Sequence, residues 1–261
     1  MHNIPMKQIT ITSIVLTLAV LVAATGTLFA AEQVAKEQTP LRVGVTPNMP
    51  PMIFKEGKKI VGMEADLAYA VGRALGRSVR FVELPWADLI DSLEANKIDI
   101  IMSSMSVTRA RQTRVTFSDP YLRVGQMALV RGDGPQSLVG GALANKAIGL
   151  KRATTADLLV QQDFPRAKRK YFNSGDEAAK ALSKKKIDLY LSDSTMIWYL
   201  AGKYEADGLV VAPIVFSDER LAWAMRRSDA ELVGSVNNAL KGIAASGELN
   251  RVLKQWIPKF E

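Results

Sequence analysis

The sequence predicts an α/β fold built from two similar lobes, and three observations support this prediction. Residues 93–104 (LEANKIDIIMSS) are echoed 89 residues later by residues 182–193 (LSKKKIDLYLSD). Both stretches read as a helix end, a Lys-Ile-Asp turn, a short apolar strand and small polar residues, which makes a repeated supersecondary unit. Around each copy, predicted strands and helices alternate, an order typical of parallel sheets with right-handed crossovers.

The first lobe begins at residues 41–45, where apolar residues alternate with period two as in a strand. A Pro-rich turn at 47–51 and a hairpin follow. Glu64 and Asp66 fall in the first turn of the next predicted helix, where the helix dipole favours anions, and Gly76 is suited to end that helix. The sequence predicts helices at 62–75 and 86–95 and strands at 79–84 and 98–102.

The chain is expected to cross between the lobes twice. Residues 124–130 form an extended stretch that we interpret as the first crossing, and residues 221–225 read as a strand near the return. Two amphipathic helices, at 231–245 and 249–256, have no third sheet to cover and are expected to return to the first lobe. Two crossings make the connection a hinge. The second lobe is predicted to hold strands at 147–150 and 187–191 and helices at 155–162 and 175–184, with lobe 1 spanning 41–124 and 219–261 and lobe 2 spanning 125–218.

The composition is that of a globular protein, with 48% of the 261 residues hydrophobic and 23% charged. The net charge is +8 and the sequence pI is about 9.6. A basic protein can bind nucleic acid, but no run of Lys and Arg is interleaved with aromatic residues that would stack bases. We therefore expect no nucleic-acid partner and interpret the basic clusters at 166–170 and 184–186 as solvated surface.

The absence of cysteine and the single histidine, His2, exclude several kinds of site. The body of the protein has no residue for a thiol nucleophile, a disulfide, a Cys/His zinc site or a Ser-His-Asp triad. Carboxylate metal sites and catalysis by Lys or Glu stay open. No motif indicates a metal or a cofactor, and we predict neither.

The N-terminus has the pattern of an export signal, which we assign to residues 1–31, with a linker at 32–40. Lys7 precedes an apolar run at 9–24, and small residues around Ala30 and Ala31 suit cleavage there. An uncleaved membrane anchor is the alternative. Because no cysteine near the cut offers a lipid attachment point, a diffusible product needs an outer barrier to retain it, which predicts the periplasm.

The two copies of the repeat end in different chemistry. Ser104 is followed by Ser106, Thr108 and Arg111, whereas the second copy ends in Asp193. In open α/β sheets, ligands lie beyond the carboxyl ends of the strands. One lobe would therefore present a guanidinium with hydroxyls and the other a carboxylate. A cation and an anion that face each other across a cleft suit a zwitterion such as a free α-amino acid.

Several motifs occur in an order that resembles a known family. They are GMEADL at 62–67, Trp86, SVTRAR at 106–111, FSDPY at 117–121, and the late Gly247 and Trp256. With them, the chain resembles the solute-binding proteins of amino-acid ABC transporters, the polar amino-acid (family 3) type, over about residues 41–256. The resemblance implies a type II periplasmic-binding-protein fold: two three-layer α/β lobes joined by a two-strand hinge. It also implies a monomer that captures a free amino acid between its lobes and delivers it to an inner-membrane ABC permease.

The resemblance assigns roles to residues of both lobes. The carboxylate-binding arginine falls on Arg111 and its hydroxyl partner on Ser106, while the backbone at Ser104 would receive the ligand amine. The amine-binding carboxylate falls on Asp193, and the stacking aromatic residue on Trp86.

The loop at 151–155 corresponds to a glycine-containing loop of the family, with Ala153 and Thr155 in place of glycines. Its N–H groups and the hydroxyls of Thr154 and Thr155, at a helix N-terminus, would meet the ligand carboxylate. Lys151 would reach the ligand side chain, and Met49 replaces an aromatic residue that is common in the family.

Each assigned residue also has a purely structural interpretation. Arg111 stands near Arg109 and Arg114 and would then lie on a basic helix face in water. Asp193 would cap the helix that follows it. Trp86 and Met49 would instead pack in the core, and Lys151 would be exposed to solvent.

Two rival functions share the scaffold. A periplasmic cyclohexadienyl (arogenate/prephenate) dehydratase resembles these binding proteins and would need a general acid aimed into the cleft. Apart from Asp193, which suits the amine, Glu219 is the residual candidate for that acid. A sensory or regulatory module is the third possibility. We predict a binding protein without catalytic residues.

Overall fold

The computed structural model describes residues 39–134, 138 and 140–257, apart from the side chains of residues 140 and 141. The predicted signal peptide at 1–31, and the linker at 32–40 except for its last two residues, lie outside the described residues. Within the described ranges, no helix combines the length and the apolar character that crossing a membrane requires.

Strands and helices alternate along most of the described chain. Short 3-10 turns lie at Trp86–Asp88, Gly140–Leu143 and Glu205–Asp207. The strands are β1 Leu41–Val45, β2 Asn48–Met49, β3 Ile53–Glu56, β4 Lys59–Val61, β5 Val79–Glu83, β6 Ile100–Ile101, β7 Val115–Phe117, β8 Leu122–Val124, β9 Gln126–Arg131, β10 Ala147–Leu150, β11 Lys168–Tyr171, β12 Leu189–Asp193, β13 Leu209–Val215, β14 Glu219–Leu221 and β15 Ala224–Arg226. The helices are α1 Met63–Ala74, α2 Leu89–Glu94, α3 Arg109–Gln112, α4 Thr155–Asp163, α5 Gly175–Ser183, α6 Ser194–Lys203, α7 Ala230–Ala245 and α8 Glu248–Trp256.

Two five-stranded sheets of equivalent topology form the centres of the two lobes. Their strand orders are β5-β1-β6-β15-β7 and β11-β10-β12-β9-β13. In each sheet the first three strands run parallel, and the fourth strand is antiparallel to the third. The predicted α/β fold with two sheet-containing lobes is confirmed, whereas the residue bounds of the lobes stay a prediction.

The repeated Lys-Ile-Asp turn has the same structure in both lobes. Asn96 and Lys185, at equivalent places, both take left-handed backbone conformations with φ of 57°. The aspartates of the two turns then accept hydrogen bonds from the first strand of their own sheets. Asp99 Oδ2 accepts from the N–H of Arg42 at 2.9 Å, and Asp188 Oδ2 from the N–H of Ala147 at 2.7 Å. These aspartates therefore join strands, as expected for residues that form the turn.

The connection between the sheets is a pair of antiparallel strands. β8 pairs with β14, and Val124 lies opposite Glu219. Directly after β8, Gly125 approaches the return segment so closely that a Cβ atom would lie 2.4 Å from the carbonyl oxygen of Ser217. Glycine is therefore required where the chain leaves the first lobe.

The C-terminal helices cover the first sheet, as the sequence predicted. Val236 of α7 and Val252 of α8 lie in the same buried cluster as Leu41 and Leu67. The indole Nε1 of Trp256 also donates to Asp66 Oδ2 of α1 at 2.7 Å. Lobe 1 is thus built from both ends of the described chain.

Among the elements that differ from the sequence-based expectations, three have a clear structural reason. The single strand predicted at 221–225 is wrong: it is broken at Trp223. There the carbonyl of Trp223 accepts from the N–H of Ser118 and its N–H donates to the Ser118 hydroxyl, which separates hinge strand β14 from β15 of the first sheet. β11 was missed because its basic residues are exposed at a sheet edge. β13, also at an edge, was missed because Pro213 breaks the strand pattern, and the register shift beside it accommodates the missing donor.

Candidate functional site

The carboxyl ends of β6 and β12 and the loops beside them enclose a cavity between the two sheets. Its space, including a mouth that opens to solvent, is about 400 Å³. All nine residues that the sequence singled out line it, although their role in binding stays a prediction. They are Met49, Trp86, Ser104, Ser106, Arg111, Lys151, Thr154, Thr155 and Asp193, and the lining also includes Ser103, Gln126, Ala156 and Ser192.

Arg111 reaches the cavity from α3, a helix of one turn. Thr108 caps this helix by accepting a hydrogen bond from the N–H of Arg111 at 3.2 Å. Nη1 of Arg111 donates to the carbonyl of Ser106 at 2.8 Å, and its Cζ lies 5.2 Å from the ring centre of Trp86. Burial lowers the pKa of the guanidinium, and the carboxylates of Asp193 and Glu219 oppose this effect. The structure thus places Arg111 in the cavity wall, not on a solvated helix face.

Asp193 faces Arg111 from the other lobe, at the end of β12. Its side chain is 8% exposed and makes no capping bond to α6, so the capping alternative is not what the structure shows. Oδ1 accepts a hydrogen bond from Gln126 Nε2 at 2.6 Å. Burial, with a further contribution from Glu219, raises the pKa of Asp193 to about 6. Arg111 and Lys151 act in the opposite direction, so the carboxylate is poised to gain a cationic partner.

The loop that leads into α4 supplies polar groups at the centre of the cavity. Ala153 has a left-handed φ of 59°, which explains why glycine is usual here in the family that the sequence resembles. The carbonyl of Ala153 accepts a hydrogen bond from Trp86 Nε1 at 2.9 Å. Thr154 caps α4 and also donates from its hydroxyl to the carbonyl of Lys151 at 2.8 Å. Trp86 is thereby fixed against the second lobe.

Lys151 projects toward the first lobe. Its Nζ donates to Asn48 Oδ1 at 2.8 Å and lies 5.6 Å from the ring centre of Trp86. Burial lowers the pKa of Lys151 to about 8, and the charge of Asp193 opposes this effect. Met49, next to Asn48, packs against buried clusters of both lobes. Lys151 and Met49 therefore bring residues of both lobes together at the cavity wall.

Glu219 lies at the hinge, behind the cavity wall. Its Oε2 accepts hydrogen bonds from the hydroxyls of Ser106 at 2.5 Å and Thr155 at 2.8 Å. Its Oε1 accepts one from Ser217 at 2.7 Å. The Ser106 hydroxyl, assigned to the ligand carboxylate, therefore donates to Glu219 in this arrangement.

Ser104 rests on a buried carboxylate that the sequence analysis did not assign to the site. Its N–H donates to Glu64 Oε2 at 2.5 Å, and its hydroxyl donates to the same oxygen at 3.2 Å. Ser104 has a left-handed φ of 56°, rare for a residue with a side chain. In the described chain its carbonyl makes no hydrogen bond. Glu64 therefore holds the backbone in the orientation that leaves this carbonyl for a ligand.

The electrostatics of Glu64 follow from complete burial. Desolvation raises its pKa to about 7, while hydrogen bonds from Tyr121, at 2.6 Å to Oε1, and from Ser104 oppose the shift. The sequence signal was present: Glu64 shares a helix face with Leu67 and Val71, which are fully buried. An acid at an inward position of an amphipathic helix indicates a functional or structural carboxylate.

Glu64→Gln is expected to change how stability depends on pH. The folded protein holds the proton of the Glu64 carboxyl group more tightly than the unfolded chain does. The free energy of unfolding of wild type therefore falls as pH rises from about 4.5 to about 7. Glutamine cannot ionise, yet its amide can accept from Ser104 and donate to the Tyr121 oxygen. We expect the variant to gain on the order of 3 kcal/mol over wild type between pH 5 and pH 8. Urea unfolding at both pH values measures this gain.

Glu83→Gln is the control for that experiment, since Glu83 lies on the surface and pairs with Lys55 at 2.7 Å. It should follow the wild-type pH dependence, because exposed ion pairs contribute little to stability. An equal fall in stability for wild type and Glu64→Gln would show that Glu64 does not hold its proton as described.

Gln126 was also missed by the sequence analysis. It is fully buried within β9 and donates from Nε2 to Asp193 and, at 3.1 Å, to Thr155 Oγ1. Its Oε1 has no hydrogen-bond partner in the described chain. A single amide directly before the apolar residues 127–130 was the available signal. The amide orients Asp193 and leaves an acceptor at the cavity.

Comparison with known proteins identifies the family. The model of the bacterial extracellular solute-binding proteins, family 3, matches residues 41–259. This chain belongs to that family. The match covers both lobes and the hinge, so it includes every residue that lines the cavity.

Named relatives of this family 3 protein bind amino acids. The ABC transporter arginine-binding protein 1 of Escherichia coli K12 is 28% identical over 224 residues, which cover 84% of this chain and 91% of that protein. The L-cystine-binding protein TcyJ of the same strain is 25% identical over 223 residues, covering 85% and 84%.

Solved structures show the same fold. A P235GK mutant of ArgBP from T. maritima has a TM-score of 0.80 at 30% identity and covers 87% of this chain and 99% of its own. The ancestral amino acid-binding protein AncCDT-1, a precursor of cyclohexadienyl dehydratase, has a TM-score of 0.77 at 31% identity, covering 86% and 98%. The predicted type II periplasmic-binding-protein fold is confirmed by these neighbours.

The chemistry available to this family 3 site is recognition of opposite charges. Among the described residues, no cluster of three or more His, Cys, Asp or Glu could hold a metal ion. Arg111 and Asp193 instead offer one cation and one anion, from different lobes, to the same small cavity. A ligand that carries an ammonium and a carboxylate on one carbon atom is complementary to this pair.

Proposed function

We propose that this protein captures a free α-amino acid between its lobes and delivers it to an ABC importer in the inner membrane. The observation that carries the proposal is the pairing of Arg111 and Asp193 across one cavity. The ligand carboxylate meets the guanidinium, and its ammonium meets Asp193 and the free carbonyl of Ser104. The amino-acid-binding relatives support the same ligand class.

Contacts between the lobes support a mechanism of closure around the ligand. Trp86 bonds to Ala153 across the gap, and Asn48 bonds both to Lys151 and, at 2.7 Å, to the carbonyl of Asn173. Opening at the two hinge strands breaks these few hydrogen bonds and exposes the cavity to solvent and ligand. Closure excludes water from the charge pairs and brings both lobes into one surface, which the permease recognises.

The energetics are within reach of this site. A micromolar complex requires about −8 kcal/mol. Two charged hydrogen-bonded pairs, at about 1.5–3 kcal/mol per bond, together with apolar contact over Trp86, supply this after the entropy cost of association. The proposal places the mature monomer in the periplasm, where it meets its permease as a single copy.

A dehydratase is the second candidate, because AncCDT-1 is a precursor of such an enzyme. The geometry favours binding over catalysis. Glu219, the residual candidate for a general acid, stands behind Ser106 and Thr155, and both its oxygens already accept hydrogen bonds from hydroxyls. Incubation with arogenate should give no product, and any turnover would contradict a purely non-catalytic function.

A thermal-shift screen of the common amino acids tests the proposal. A ligand at 100 times its Kd stabilises the folded protein by about 2.7 kcal/mol, a shift of several degrees in Tm. We expect at least one L-amino acid to produce this shift, and its deaminated analogue to produce none. A protein that no amino acid stabilises at millimolar concentration would not have the proposed function.

A further inference from the structure

The groups that line the cavity carry more positive than negative charge. In the described lining, Arg111 and Lys151 are cations and Asp193 is the carboxylate. Glu219 lies behind this lining and is engaged by hydroxyls. The charge of Glu219 raises the pKa values of Arg111 and Asp193. The carboxylate that raises the pKa of Lys151 is that of Asp193.

The two cations are held by different residues of the first lobe. The guanidinium of Arg111 is anchored by the carbonyl of Ser106, beside the hinge. The ammonium of Lys151 is anchored by Asn48, which follows β1. Both lie over the ring of Trp86, at 5.2 and 5.6 Å from its centre. An amino acid held by Arg111 and Asp193 in this small cavity therefore has its side chain within reach of Lys151.

We propose that the side chain of the bound amino acid ends in a carboxylate and that Lys151 selects it. This inference rests on the proposed function. Any amino acid neutralises Arg111 and Asp193 with its α-carboxylate and α-ammonium. Lys151 then remains a half-buried cation whose hydrogen-bond acceptor, Asn48, is neutral. A buried charge without a counter-charge is unfavourable, and a side-chain carboxylate supplies the counter-charge.

The same geometry disfavours a basic side chain. A guanidinium or ammonium beside Lys151 would face its ammonium in a half-buried cavity, where like charges repel more strongly than in open water. A carboxylate beyond Asp193 that could receive it is absent from the described lining. The specificity of this chain is therefore expected to differ from that of its arginine-binding relatives.

Calorimetry with a set of amino acids tests the inference. We expect wild type to bind glutamate or aspartate about tenfold or more tightly than glutamine or arginine. Lys151→Met should weaken the acidic ligand by about ten- to hundredfold while changing alanine binding by less than about threefold. Lys168→Met is the matched control: Lys168 is an exposed lysine of β11 in the second sheet. It removes the same charge outside the cavity and should leave the preference unchanged.

The outcomes separate this inference from the proposed function. If arginine or glutamine binds wild type as tightly as the better acidic ligand does, the inference is overturned. This comparison of affinities needs no variant protein. Equal losses for the acidic ligand and for alanine in Lys151→Met also overturn it. In both cases amino-acid capture itself still stands. Binding of no amino acid at all overturns the proposed function and the inference together.

Discussion

Replacement of Arg111 by alanine is expected to weaken amino-acid binding by about a hundredfold or more. The guanidinium is held in the cavity wall by Ser106, with its face near Trp86, so it is ready to form a two-bond pair with a carboxylate. Each such bond contributes about 1.5–3 kcal/mol, and without the arginine the ligand carboxylate is buried with no paired cation. Isothermal titration calorimetry with the amino acid found in the thermal-shift screen measures the loss.

Arg109→Ala is the matched control for this experiment. Arg109 lies on the same short helix, but its side chain is exposed to solvent. This variant removes an equal charge and should bind as wild type does. Both variants should unfold at temperatures close to wild type, because neither removes apolar packing. Near-normal affinity in Arg111→Ala would remove the basis of the proposed site.

Asp193→Asn is expected to weaken binding by about ten- to hundredfold at pH 8, since a neutral amide replaces the partner of the ligand ammonium. The amide oxygen of asparagine can still accept the hydrogen bond from Gln126, so the local structure should be retained. An analogue without the α-amino group does not use this charge. Its already weak binding should change little between wild type and the variant.

The pH dependence of binding provides a second test of Asp193. Its pKa in the free protein is about 6, and the ionised form binds the ammonium. As pH falls below about 6, wild-type affinity should therefore fall, by up to about tenfold per pH unit, while that of Asp193→Asn stays level. Asp163→Asn, an exposed change in the same lobe, should follow wild type. A level wild-type profile between pH 4.5 and 7 would contradict the assignment.

The same pKa predicts a cost in stability for the empty protein. Folding raises the pKa of Asp193 from its ordinary value, so the folded state favours the proton. The free energy of unfolding then decreases as pH rises from about 4 to about 6. Above pH 6 the carboxylate is ionised in the folded protein, and the lost stability is not regained. A site that keeps a buried charge for its ligand is less stable without the ligand, which is common at functional sites.

The elements that the sequence predicted are those with a clear periodic pattern. The apolar faces of α1, α7 and α8 and the repeat at Asp99 and Asp188 were readable because burial determines the pattern directly. β11 and β13 were not, because they lie at sheet edges, where exposed Lys168 and Arg169, or Pro213, remove the alternation. The break at Trp223 depends on hydrogen bonds to the N–H and the hydroxyl of Ser118, which is 105 residues away in the chain.

The residues that line the cavity were predictable where their positions along the sequence were sufficient to identify them. Arg111 and Asp193 follow strands of the repeat, and the carboxyl ends of such strands meet at one edge of a sheet. The residues that hold the cavity lining in place through hydrogen bonds were not predictable in this way. Glu64, Gln126 and Glu219 act through hydrogen bonds to Ser104, Asp193 and Ser106, and these pairs form only when the sheets and the hinge are assembled.

The central claim is that separate lobes hold the two opposite charges of one amino acid, and a crystal structure of the complex tests it most directly. We expect the α-carboxylate within about 3 Å of the guanidinium nitrogens of Arg111, and the α-ammonium at hydrogen-bond distance from an oxygen of Asp193. A complex in which the same ligand touches only one of these two side chains would contradict the account.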